Sequence, residues 1–239
     1  MSDIKEKPMQ KQDIKIRSVE GKDFDCYVVT PDVTGKVPAI VLASAVHGVD
    51  GDVRAIADEF AAAGYIAAAP DLFWRTVPGP LTRSDDRTKT RSQPRLPVIK
   101  TGEKDMVDTL NELKKMPQFN GKAVAMGFCY GGPYAIIAPK RLGYFGGVSC
   151  HGTQMGDFAH ELEGTTQPIS IIWGDQDHAA PPAVQAQYRA IPAQHKNVDV
   201  HLVPGVLHGY MMRGSVIAFH QQTYDFSMGR ALAILGGCR

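Results

Sequence analysis

The chain has 239 residues, 44% hydrophobic and 21% charged, a balance that excludes a disordered or fibrous protein. At this length roughly 70 to 75% of the surface of the unfolded chain is buried on folding, so the core needs no disulfide or metal staple. The 26 Lys and Arg against 25 Asp and Glu leave a net charge of +1, without the basic excess of a nucleic-acid binder, and no apolar run is long enough to cross a bilayer.

Two strands are predicted first, Asp13 to Val19 and Phe24 to Thr30, joined by the turn-rich spacer Glu20-Gly21-Lys22-Asp23. Val37 to Ser44 is almost continuously apolar, as expected of a strand buried on both faces of a parallel sheet. A helix over Val53 to Ala63 places Ile56, Phe60 and Ala63 on one face and ends at Gly64, before a strand over Tyr65 to Ala69. The alternation continues with helix Gly102 to Met116, strand Ala123 to Gly127, helix Gly132 to Lys140 and strand Phe145 to Cys150. It closes with strand Pro168 to Trp173, helix Pro181 to Ile191, strand Asn197 to Val203 and a helix near Ser215 to Leu235.

This order predicts an α/β fold with a mostly parallel central sheet and helices on both faces. There is no internal repeat, low-complexity tract or linker, so residues 1–239 read as one domain. The exception to the alternation is Arg75 to Lys100, which carries four prolines (Pro78, Pro80, Pro94, Pro97) and the cations Arg83, Arg87, Lys89, Arg91 and Arg95. It is either a solvated basic surface or an anion-binding rim.

The four cysteines, Cys26, Cys129, Cys150 and Cys238, are widely separated and form no CxxC pair. Residues Met1 to Met9 are polar and charged, without the apolar core of a signal peptide, so a reducing cytoplasm is the expected compartment. Cys129 stands apart from the rest. It lies in Gly127-Phe-Cys129-Tyr-Gly131-Gly132, between a predicted strand and a predicted helix, which is the form of a nucleophile elbow with cysteine in place of serine. Flanking glycines suit so tight a turn, and the helix N-terminus favours a thiolate. The competing reading is a buried structural cysteine.

An acid and a histidine are then required after later strands, in that chain order. Asp177 follows strand Pro168 to Trp173 within Gly174-Asp-Gln-Asp177-His178, and His208 follows strand Asn197 to Val203. Asp175 lies closer to its strand and is expected to brace the turn, while His201 alternates within a strand and is expected at a half-exposed surface.

These pieces resemble the dienelactone hydrolase (carboxymethylenebutenolidase) family of α/β-hydrolases, in which cysteine replaces the usual serine. The matching segments are Ile40-Val-Leu-Ala-Ser, Gly64-Tyr65, Ala69-Pro-Asp-Leu72, the Cys129 elbow, Gly174 to His178 and His208-Gly-Tyr210, in order through most of the chain. The resemblance implies a Cys129, Asp177, His208 triad and an oxyanion hole from the backbone N–H groups of Tyr130 and Val46. It also implies a small-molecule lactone or ester as substrate, with no cofactor.

The chain departs from the family pattern at two points. The loop glutamate that engages the resting cysteine aligns with Ala45, which leaves His208, the helix dipole or His47 to activate the thiol. The arginines that hold a substrate carboxylate have no unambiguous counterparts. Arg213 lies five residues after His208 rather than four, and Arg87, Arg91, Arg75 and Arg95 compete for the other role. Phe73, Trp74, Tyr130 and His151 are further candidates for the pocket wall. The histidines form no HxxxH or HExxH run, so no metal is expected.

The leading expectation is therefore a hydrolase of a small carboxylated enol lactone, acting through Cys129. A broad carboxylesterase or thioesterase on the same scaffold is the alternative, and a non-catalytic binding module is a third. The chain is expected to work as a monomer or small homo-oligomer, away from membranes and nucleic acid.

Overall fold

The computed structural model describes residues 9–239. Its eight strands form one sheet in the order β1-β2-β4-β3-β5-β6-β7-β8. β1 (Met9–Arg17) and β2 (Asp23–Pro31) are an antiparallel hairpin, and β2 runs antiparallel to β4 (Ile66–Pro70). From β4 onward the pairing is parallel through β3 (Val37–Ala43), β5 (Phe119–Phe128), β6 (Gly146–Cys150), β7 (Ile169–Gly174) and β8 (Val198–Val203). This is the α/β-hydrolase arrangement.

The two faces follow from the side-chain alternation of each strand. On β3, Ile40 and Leu42 join one core with Ile56 and Phe60 of α1 (Gly51–Ala62) and Met228, Ala231 and Leu235 of α6 (Gln221–Gly236). Ala39, Val41 and Ala43 point the other way, into a second core with Met106 and Leu110 of α3 (Arg95–Leu113) and Ile137 of α4 (Tyr134–Arg141). A third cluster joins Ile171 and Trp173 of β7 to Tyr188 of α5 (Pro182–Gln194), with the Trp173 and Tyr188 rings stacked 3.7 Å apart. Burial on both faces is why the central strands read as unbroken apolar runs.

Several boundaries differ from the sequence expectation, three of them in the helices. The segment from Arg75 to Lys100 is turns and loop up to Asp86 and then carries two helical stretches: α2 spans Arg87–Arg91, and α3 begins at Arg95 rather than Gly102. Two of its prolines fit the helix start, because Pro94 caps α3 in an extended conformation and Pro97 lies in its first turn, where a missing N–H leaves no bond unmade. The last helix starts at Gln221, not Ser215. Residues 215–219 form turns, and the His220 side chain accepts the Thr223 N–H as the helix cap. The elbow passes through a 3-10 turn, Cys129–Gly131, before α4 begins at Tyr134. Among the described residues no helix is long and apolar enough to cross a membrane.

The parallel strands all deliver their loops to one edge. Val46 follows β3, Cys129 follows β5, His151 follows β6, Asp177 follows β7 and His208 follows β8. That carboxyl edge is where open parallel sheets bind ligands.

Candidate active site

Cys129 occupies the sharpest point of the turn between β5 and α4. Its φ of 51° lies in the left-handed region that non-glycine residues rarely enter, a conformation that costs on the order of 1 to 3 kcal/mol and persists only when the surroundings enforce it. The enforcement is visible in the glycines. A Cβ on Gly127 would strike the Gly131 carbonyl, one on Gly131 would strike the Ala43 carbonyl at the end of β3, and one on Gly132 would strike Gly152. The Cys129 carbonyl is held by the Thr153 N–H at 2.9 Å and the Gly132 N–H at 3.1 Å, so the side chain alone is left free to project from the turn.

His208 comes to this point because β7 and β8 are drawn together beyond their ends. A Cβ on Gly174 would overlap the Val206 carbonyl, the Gln176 N–H donates to that same carbonyl at 3.1 Å, and Asp175 accepts the Gly205 N–H at 2.8 Å. Asp175 thus braces the turn, as its position suggested. Asp177 is buried, accepts the Ala179 N–H at 2.7 Å, and places both carboxylate oxygens 2.9 Å from Nδ1 of His208. Nε2 is then the ring nitrogen left to meet Cys129. Burial acts to discharge the imidazolium, but hydrogen bonds and charge from Asp177 and Cys129 outweigh it and raise the His208 pKa to about 10. His201 instead pairs with Asp199 at 3.0 Å on the half-exposed surface of β8.

Beside the sulfur is a cavity of about 370 Å³, lined by Val46, Ser92, Gln93, Arg95, Cys129, Tyr130, Thr153, Gln154 and Ala179. Among the described residues the Val46 and Tyr130 amides donate to no side chain or loop carbonyl, which leaves both N–H groups free beside the cavity. Arg95 is the guanidinium in this cavity. It lies 4.4 Å above the Tyr130 ring and donates to the Thr153 carbonyl at 2.7 Å, while its buried Nε has no partner.

The other cations of the segment are spent elsewhere. Arg87 is on the exposed surface, held by Asp85 at 2.7 Å. Arg213 pairs with Glu59 and lies over the Tyr224 ring at 4.4 Å. Arg83 binds Asp52 at 2.7 Å, and Arg75 binds the buried Asp105 at 2.6 Å. Arg91 is fully buried and turned away from the cavity onto Asp71, Gly79 and Val46. The basic run is therefore not a rim, because nearby carboxylates take up most of its charge.

The structure does not bring His47, Trp74 or His151 to the cavity wall. His47 sits in the loop after β3, with its pKa lowered by burial and by the charges of Arg83 and Arg91. Trp74 stacks on Phe24 at 6.0 Å, with the Arg75 guanidinium 4.2 Å from its ring. His151 is buried behind the pair, edge-on to His208 with ring centroids 5.0 Å apart, and burial and the neighbouring His208 charge keep it neutral. Phe73 packs on Tyr130 at 5.2 Å and supports the cavity from beneath. Thr153 gave no signal in the sequence; its contacts to the Cys129 carbonyl arise only from the fold.

Asp177, His178 and His208 place one ligand atom each within 4.8 Å of one another. Two of these residues are already bonded to each other through Nδ1 and the carboxylate, which is what a triad requires and what a metal ligand set would have to break.

A family model for dienelactone hydrolases matches residues 24–235. The chain belongs to the dienelactone hydrolase family. Among its curated relatives, carboxymethylenebutenolidase 1 of Cupriavidus pinatubonensis is 24% identical over 231 residues, covering 93% of this chain and 95% of the relative. The carboxymethylenebutenolidase of Pseudomonas putida is 27% identical over 177 residues, 72% of this chain and 74% of the relative. The dienelactone hydrolase structure from Anabaena variabilis superposes with a TM-score of 0.70 at 17% identity, over 94% of this chain and 98% of that one. By family the chain is a hydrolase of the carboxymethylenebutenolidase type, and its strand order puts the Cys129 turn at the carboxyl end of the central strand β5.

Proposed function

We propose that the protein hydrolyses a small enol lactone or ester bearing a carboxylate, with Cys129 as the nucleophile. The observation that carries this reading is the convergence of a strained elbow cysteine on His208, whose far nitrogen is fixed by both oxygens of Asp177 at 2.9 Å. His208, with its pKa raised to about 10, already holds the proton drawn from the Cys129 thiol, and the thiolate sulfur attacks the carbonyl carbon. The oxyanion is received by the N–H groups of Val46 and Tyr130. Its collapse reforms the carbonyl and expels the enolate, which takes the proton back from His208. Water, deprotonated by the same ring, then attacks the thioester and releases the acid.

An enolate stabilised by conjugation is a good leaving group, which suits a sulfur nucleophile. Asp177 keeps His208 in the tautomer whose Nε2 can accept a proton. Ala45 is buried and cannot ionise, so activation rests on His208 and the turn into α4. A nucleophilic thiol is best preserved where thiols stay reduced, which favours the cytoplasm.

Arg95 supports the carboxylate preference, because it is the cation that lines the cavity with Cys129. A guanidinium can take a carboxylate in its fork, and a charged hydrogen bond of this kind contributes about 1.5 to 3 kcal/mol. Steady-state kinetics on a carboxylated enol lactone and on neutral p-nitrophenyl acetate test the reading. A preference for the lactone that disappears in Arg95→Ala supports it. Equal kcat/KM on both, unchanged by Arg95→Ala, favours a broad carboxylesterase.

A further inference from the structure

The groups that shape the oxyanion hole are themselves held by a buried cluster behind the cavity. Arg91 is wholly buried, and an arginine in that position must be matched by charge and by acceptors. Its Nη2 donates to the Gly79 carbonyl at 2.8 Å and lies 3.6 Å from an Asp71 oxygen, and its Nη1 reaches the Val46 carbonyl at 3.5 Å. The other Asp71 oxygen accepts the Gly79 N–H at 2.6 Å. The same guanidinium lies 4.5 Å above the Phe73 ring, and Phe73 packs on Tyr130 at 5.2 Å. One side chain therefore touches the Val46 arm of the hole directly and the Tyr130 arm through a single ring.

The loop after β3 is pressed against this cluster. Leu81 N–H donates to the His47 carbonyl at 2.8 Å. Gly48 has φ +78°, and a Cβ there would come 2.9 Å from the Gly79 carbonyl and 3.2 Å from Arg91 Nη1. The loop can adopt its course only with a glycine at this point and with the 79–81 segment held in place.

We propose that Arg91 is a positioning residue for the reaction, a buried cation that fixes both amide donors of the oxyanion hole and does not itself bind the substrate. The proposal rests on the reading of Cys129 as nucleophile. Its physical basis is that donors work only if they are already aimed where negative charge develops. Lysine cannot replace this fork, since a single ammonium cannot span Asp71, Gly79 and Val46 while lying flat on Phe73.

The test compares two reactions at the same sulfur. Alkylation by iodoacetamide forms no oxyanion, whereas acylation by p-nitrophenyl acetate does. Arg91→Lys should alkylate at the wild-type rate, while its acylation rate falls about 10- to 100-fold with KM nearly unchanged, on neutral and carboxylated substrates alike. Gly48→Ala, which disturbs the same loop and keeps the arginine, should give the same split if Arg91→Lys does not fold.

A KM increase confined to carboxylated substrates would overturn the proposal, because Arg91 would then be a substrate anchor. An equal loss of alkylation and acylation in both variants would also overturn it, by reducing the cluster to general packing. Failure of the underlying reading has a different signature: the wild-type protein would take no acyl group at Cys129.

Discussion

The carboxyl edge of β5, β7 and β8 and the segment from Asp71 to Arg95 meet at the same cavity, yet they hold their groups by different means. At the strand edge, backbone geometry does the placing. Gly127, Gly131 and Gly174 allow approaches that no side chain would permit, and Cys129, Asp177 and His208 arrive in chain order. In the segment, charge does the placing. Arg83, Arg87 and Arg91 are each turned toward a carboxylate, Asp52, Asp85 and Asp71, and Arg95 is left beside the sulfur. A turn fixes a residue's role through its near neighbours, while an ion pair depends on a partner that may lie tens of residues away.

The contrast predicts effects of descending size. At the strand edge, if the proposed reading holds, Cys129→Ala or His208→Ala should cost about 10⁴-fold or more in kcat, and Asp177→Asn about as much, because the members of a nucleophile–His–acid triad act as a unit. Steady-state assays on a neutral ester measure this without involving any arginine. In the segment, Arg95→Ala should lower kcat/KM about 10- to 100-fold, and only for carboxylated substrates, as expected for one charged hydrogen bond. Arg87→Ala and Arg213→Ala should change activity less than about twofold, since solvent-exposed ion pairs contribute about 0 to 1 kcal/mol to stability and neither residue faces the cavity. An Arg87→Ala variant that lost carboxylate selectivity would reverse the comparison.

The pairing of His208 with Asp177 also predicts how stability depends on pH. The folded-state pKa of His208 is raised to about 10 from an ordinary 6.5, so the folded form holds its proton more tightly than the unfolded chain. That contribution is fully present below pH 6.5 and is lost progressively as pH rises through about 10. Urea midpoints at pH 6, 8 and 10 should decline across this window, and the decline should be shallower in Asp177→Asn. A midpoint that rises over the same range would contradict the pairing.

The same division explains what the sequence made legible. The sharp turn at Cys129 could be read from glycine spacing, and the meeting of Asp177 with His208 from their places after strands. The choice of Asp177 over Asp175 followed from distance to the strand end, and the structure gives Asp175 the bracing role, on the Gly205 N–H. The arginines could not be read in this way. Arg87 and Arg91 were favoured by spacing, but spacing carries no information about whether Asp85 or Asp71 lies within reach. The start of α3 was hidden for a related reason. Pro94 and Pro97 mark a loop in isolation, yet at the first turn of α3 proline is compatible with helix, and the helix start moved forward to Arg95. Thr153 was invisible because its value lies wholly in meeting the Cys129 carbonyl across the fold.

The cysteines offer the most direct test of the central claim. Burial raises the thiol of Cys150 to about 12 and that of Cys238 to about 11, and it holds Cys26 protonated as well. Cys129 alone of the four is partly exposed, and it faces His208. Brief treatment of the native protein with iodoacetamide at neutral pH, followed by peptide mass mapping, measures which sulfur reacts. The account predicts that Cys129 is alkylated first, and that activity disappears in step with it. Alkylation of Cys129 no faster than of Cys26 or Cys238, or full activity after Cys129 is blocked, would contradict it.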